Sequence, residues 1–108
     1  MGRSDPRALG LLQQLTMLAV ARMGDAAYGA RIRQELEDVV GHSVSISTVY
    51  VTLVRLEDQG LVASTQADPE PGRGGTGKRF FRITGDGWEA LRSARAALDS
   101  MWKGLEPA

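Results

Sequence analysis

Thr48, Thr52 and Arg55 recur at helical spacing along one side of the segment from Thr48 to Gln59, while Val49, Leu53 and Leu56 recur along the other. Side chains of the first kind share one recognisable chemistry. A threonine meets a base edge or a thymine methyl, and an arginine reaches guanine or a phosphate. Such a helix needs an apolar back to seat on a core and a small, hydrogen-bonding front to enter a major groove. Val51 also falls outward, with Tyr50 at the border. The preceding run Ser43-Val44-Ser45-Ile46-Ser47 is poor helix interior but good capping sequence, and Ser47 is the expected N-cap. The free N–H groups of that helix start, beside Ser45 and Ser47, favour a phosphate. An ordinary serine-capped amphipathic helix shows the same pattern, so the segment that follows decides.

That segment is basic. From Pro71 to Thr84 the chain carries Arg73, Lys78, Arg79 and Arg82 and no acid. Cations separated by glycines can neutralise phosphates along a duplex backbone or in its minor groove. A glycine-rich loop can also cradle a nucleotide. Here no Gly-Lys-Ser/Thr opens a helix and no helix follows the glycines directly. The absence of cysteine excludes disulfides and thiolate metal sites. The single histidine, His42, sits in the turn before Thr48 and has no partners spaced for a metal. No Ser/His/Asp or Cys/His set and no persuasive carboxylate pair can be drawn. No catalytic residue, metal or cofactor is therefore assigned, and an enzyme is not expected.

The surrounding elements must position these groups. Leu11, Leu12, Leu15, Leu18 and Ala19 recur near a period of 3.6 and predict a core-facing helix from Leu9 to Met23, ended by Gly24-Asp25. A second helix is expected from Tyr28 to Val40, with Ile32, Leu36 and Val39 or Val40 inward and Gly41 at its end. Gly60 closes the third helix. Two β-favouring runs follow, Leu61 to Gln66 and Lys78 to Thr84, the second setting Phe81 and Ile83 against Phe80 and Arg82. Asp68 to Gly77 is too rich in Gly and Pro for helix or strand and joins them as a long hairpin tip. A last helix opens at Gly85 or Asp86 and reaches Leu105. Helix, helix, helix, strand, long loop, strand, helix, with the cations from Arg73 to Arg82 on the hairpin, is the winged helix-turn-helix layout. The expected fold is mainly α with a small β-hairpin, residues 1–84 forming the DNA-binding domain and 85–108 an additional C-terminal dimerisation helix.

Formal net charge is zero, from 13 basic and 13 acidic residues, which taken alone argues against nucleic acid. The charge is segregated, however, with acids at Glu35, Glu37 and Asp38 and again at Glu57 and Asp58. No apolar run reaches the roughly 20 residues that span a bilayer. The first residues lack a secretory pattern. A cytoplasmic protein without a membrane partner is the expectation.

Three blocks resemble the PadR-like family of winged helix-turn-helix transcriptional regulators. Tyr28-Gly29-Ala30-Arg31-Ile32 is similar to its Tyr-Gly-x-x-Ile signature. Ser47 to Val62, with Tyr50, Leu53, Arg55, Leu56, Glu57, Gly60 and Leu61, looks like its Thr-Leu-Tyr-x-x-Leu-x-Arg-Leu-Glu-x-x-Gly-Leu-Ile block, the most specific of the three. Gly77 to Gly87 resembles its wing strand. Val51 stands where a proline is frequent, and Phe80-Phe81 replaces a tyrosine pair. The resemblance covers Leu9 to Leu105 and implies Tyr28 and Tyr50 at the DNA backbone, with Arg73, Lys78 and Arg79 on the wing.

Trp88, Leu91, Arg95, Leu98, Trp102 and Leu105 lie three and four apart, a heptad seam of the kind that meets a partner helix. By the resemblance this helix and the first, with Leu11 and Leu15, form a homodimer. Arg95 is expected to pair with Asp99 or with the other subunit, and Trp88 and Trp102 to flank a small hydrophobic effector. The function implied is a homodimeric repressor on a palindromic operator in double-stranded DNA. The neutral charge motivates the alternative, a winged-helix protein–protein interaction module without DNA binding.

Overall fold

Two features of the middle of the chain organise the structure: glycines that stop each helix, and apolar side chains at helical spacing between them. The computed structural model describes residues 9–67 and 78–105. Helix α1 spans Leu11–Met23 and passes through a short 3-10 turn, Gly24–Ala26, into α2, Gly29–Val40. Gly41 ends α2 in the left-handed conformation (φ 66°), its N–H and that of His42 donating to Glu37 O and Leu36 O. Helix α3 covers Ile46–Asp58. Strands β1, Val62–Gln66, and β2, Arg79–Ile83, pair antiparallel with Val62 opposite Ile83 and Gln66 opposite Arg79. Helix α4 runs from Gly85 to Trp102.

The described residues thus form a mainly helical winged helix-turn-helix, four helices and one two-stranded hairpin, as the periodicity predicts. Sequence reading missed one connection. Tyr28 forms an isolated antiparallel bridge to Phe80, and Phe81 N donates to Ala27 O at 2.8 Å, so the residues entering α2 add a third rung to the hairpin. Met17, Val20, Ile32, Leu36, Leu53 and Leu56 fill the centre, roofed by Val62 and Phe81.

The face of α1 differs from expectation. Thr16, Met17, Ala19 and Val20 are buried, whereas Leu11 (67% exposed) and Leu18 (43%) face outward and Leu12 and Leu15 lie at the edge. Apolar residues surround most of this helix, so periodicity could not choose among its faces; the positions of α2 and α3 do.

Helix α4 divides in two. Thr84 caps it, accepting from Gly87 N at 3.0 Å and donating its hydroxyl to Gly60 O at 2.7 Å. Gly87, Ala90, Leu91 and Ala94 are buried against the body, and every residue from Arg95 to Leu105 is exposed. The Cα radius of gyration, 15.7 Å, exceeds the ~13 Å of a compact chain this long, consistent with a helix that outruns its domain.

Candidate nucleic-acid interface

The start of α3 is set by Ser45, not Ser47. Ser45 is extended (φ −74°, ψ 155°), and its Oγ accepts from Thr48 N at 3.1 Å while donating to Thr48 Oγ1 at 2.9 Å. Ser47 is already helical. The shift follows from which serine can bond the third N–H of the helix. Ser47 is thereby released as an exposed front residue in the first turn of the helix.

Thr52 is a second correction. It is 8% exposed, and its hydroxyl donates to Thr48 O at 2.8 Å, so it faces inward rather than toward a partner. At 3.6 residues per turn Thr52 lies only about 40° around the helix from Leu56. Threonine suits either environment because the backbone satisfies its hydroxyl. The exposed front of α3 is instead Ser47, Thr48, Tyr50, Val51, Val54 and Arg55. Val54 was not singled out by its sequence pattern; its 42% exposure places it there. Among the described residues Arg55 has no acidic partner.

An aromatic cluster joins this front to the hairpin. The Tyr28 ring lies edge-to-face on Phe80, centroids 5.6 Å apart, and Lys78 Nζ stands 4.2 Å above it. Tyr50 meets Phe81 at 6.5 Å in the same manner. Gly29 permits this packing. A Cβ there would fall 2.7 Å from two atoms of the Tyr50 ring and 2.9 Å from its hydroxyl. The Tyr-Gly pair is thus a seat for an α3 side chain, not a turn. Tyr28, Tyr50 and Lys78 come together on one side, and both tyrosines keep accessible surface.

Arg79 behaves differently from the free wing cation expected. Its Nη2 is 2.6 Å from Glu57 Oε1, its Nε donates to Ser64 Oγ at 2.9 Å, and the guanidinium lies 5.5 Å from the Phe81 centroid. Neither Glu57 nor Ser64 was predicted as a site residue. The two pairing residues are separated by 22 positions, a distance no local pattern spans. Arg73 lies outside the described residues.

Trp88, Leu98 and Trp102 are exposed on α4, with Leu11 exposed and Leu15 half-buried on α1. Leu91 is not a seam residue in the sense predicted: at 7% exposure it belongs to the chain's own core, because the body extends one turn further along α4 than a heptad count suggests. Arg95 makes no ion pair with Asp99 among the described residues. Leu18 and Trp88 together border two clefts. One, of about 430 Å3, lies against Leu36, Val39 and Val40; the other, of about 730 Å3, lies along Gln14, Arg92 and Leu98. Trp102 borders neither, being fourteen residues and about 21 Å along α4 from Trp88, so a small ligand cannot touch both tryptophans of one chain. Among the described residues no group of His, Cys, Asp and Glu could hold a metal ion, and no helix is long and apolar enough to cross a membrane.

The model of the transcriptional regulator PadR-like family matches residues 17–93, from the core face of α1 through the hairpin to the buried half of α4. Over 74 residues the chain is 39% identical to Transcriptional regulator Rv3488 of Mycobacterium tuberculosis, a match covering 68% of this chain and 64% of that protein. The match thus spans a little under two thirds of that relative's length. The solved structure of a PadR-like transcription factor from Bacteroides fragilis has a TM-score of 0.75 at 24% identity, over 89% of this chain and 87% of that one. A PadR family transcriptional regulator from Eggerthella lenta has a TM-score of 0.67 at 29% identity, over 87% and 81%.

Proposed function

The chain belongs to the PadR-like family of transcriptional regulators, which are not enzymes, and from that premise we propose that it is a cytoplasmic, homodimeric repressor of a two-fold symmetric operator. The observation that carries this reading is the exposed front of α3, with Arg55 unpaired among the described residues, beside Tyr28, Tyr50 and Lys78. In this reading Ser47, Thr48, Val51 and Arg55 face a major groove, where a valine suits a thymine methyl and Arg55 a guanine or a phosphate. The N–H groups at the start of α3 and the two tyrosines meet the backbone. Lys78 flanks it, as does Arg73 by sequence position. Half-sites are inverted repeats, as two-fold symmetry requires, and lie one helical turn apart, about 34 Å, so that both major grooves face the dimer.

Selection of bound duplexes from a randomised pool, followed by titration against salt, tests the reading. Arg55→Ala is expected to weaken the selected duplex by roughly 1–3 kcal/mol and to relax the preference at one base pair. A wild-type protein that enriches no sequence and binds no duplex at low salt would instead fit the interaction module that the zero net charge allows.

The cleft of about 430 Å3 beside Trp88 is where this reading puts a small hydrophobic effector that relieves repression. A dye-like apolar ligand should change tryptophan emission saturably, and Trp88→Phe should abolish the change. A response unaltered in Trp88→Phe would move the effector elsewhere.

A further inference from the structure

The last turn of α3 carries Glu57, whose two carboxylate oxygens are both engaged by the hairpin. Oε1 accepts from Arg79 Nη2 on β2 at 2.6 Å, and Oε2 accepts from Ser64 Oγ on β1 at 2.8 Å. Ser64 Oγ in turn accepts from Arg79 Nε at 2.9 Å. The three side chains close a ring of hydrogen bonds, each charge-assisted, that ties the helix to both strands at once. The Glu57 side chain is 29% exposed and that of Arg79 41%, so the ring stands at the edge of the core rather than free in solvent.

A hairpin of two strands holds its shape poorly alone. This one is anchored at its base by Thr84, and nearer the loop Tyr28 bridges Phe80 of β2. The ring lies beyond the base, with Arg79 opposite Gln66 and Ser64 opposite Phe81 in the strand register, and unlike the Tyr28 bridge it also engages β1. We propose that Glu57, Ser64 and Arg79 are positioning residues for DNA binding: they hold the wing at a set angle to α3, and Arg79 directs its charge to Glu57 rather than to a phosphate. The proposal rests on the DNA-binding reading above. It divides the wing cations into two jobs, with Lys78 left to the duplex and Arg79 kept inside the protein.

The two roles of Arg79 predict opposite outcomes. A duplex enriched by the wild-type protein from a random pool is the probe, titrated by fluorescence anisotropy across a salt series, with circular dichroism melting to verify each fold. As a brace, the ring makes Glu57→Gln and Arg79→Ala each weaken the probe roughly fivefold, the size of one partly exposed ion pair. The double variant should bind no more weakly than either single one, because both break the same ring. The slope of log K against log salt should stay at the wild-type value. The exchange Glu57→Arg with Arg79→Glu should recover part of the loss, which a simple loss of positive charge would not allow. The brace is overturned if Glu57→Gln tightens binding and Arg79→Ala lowers the slope by about one unit, since Arg79 would then be a phosphate contact restrained by Glu57. It is equally overturned if the wild type enriches a duplex that both single variants bind as tightly. A wild type that enriches none removes the DNA-binding reading and, with it, this proposal, a failure separable from the other two.

Discussion

Gly87→Ala should destabilise the protein by roughly 3 kcal/mol, lowering its melting temperature by about 10–20 °C. A Cβ at residue 87 would lie 2.1 Å from the Leu61 carbonyl oxygen, 2.9 Å from Ile83 Cγ2 and 3.1 Å from the Leu61 carbonyl carbon. The nearest obstacle is backbone that cannot swing aside. Leu61 N donates to Leu56 O at 2.9 Å, and Leu61 O accepts from Thr84 N at 3.2 Å. Relief therefore requires α4 to lift from the hairpin, uncovering Ala90 and Leu91. Helix propensity acts in the other direction, alanine being favoured over glycine inside a helix by about 1 kcal/mol. The steric contact outweighs it. Thermal unfolding followed by circular dichroism decides the matter, and a variant melting within a few degrees of wild type would show that α4 does not sit this tightly.

Leu98→Asp is expected to leave the fold intact, produce a monomer, and weaken binding to the selected duplex by a hundredfold or more, the order of gain that linking two half-site contacts provides. Leu98 is 53% exposed, and every residue from Arg95 to Leu105 is exposed on the protomer. Leu98, Met101, Trp102 and Leu105 together expose a contiguous apolar run that a second copy would cover. Leu91 provides the contrast. It is buried in the protomer's core, so Leu91→Asp should unfold the chain rather than merely separate two copies. Sedimentation velocity alongside the binding titration reads both effects. A Leu98→Asp protein that stays dimeric and keeps its affinity would put the interface on another face.

Much of the fold is legible in the order of residues alone. Helices alternate with glycine stops, the hairpin runs are short and β-favouring, and the helical spacing of Val49, Leu53 and Leu56 assigns the back of α3 correctly. Those signals are local, carried by backbone preference and by a period of 3.6, and they determine element order and fold class. Threonine carries no such direction: Thr48 and Thr52 look alike in sequence, yet one is exposed and the other buries its hydroxyl on a carbonyl. Among the serines, the cap falls to Ser45 because of where α3 enters, two residues before the serine adjacent to the periodic run.

The rest depends on residues far apart in sequence. The outward face of α1 is open to several readings because leucines surround it. The point along α4 where core gives way to surface, between Ala94 and Arg95, depends on how far the other elements extend beneath it. The role of Arg79 is hidden because its partner Glu57 lies across a turn, a strand and the loop. By itself the sequence determined which helix presents a hydrogen-bonding front and that cations gather from Arg73 to Arg82. Only the tertiary structure decided which of those side chains remain free to meet a ligand, because that depends on what the folded chain has already placed against them.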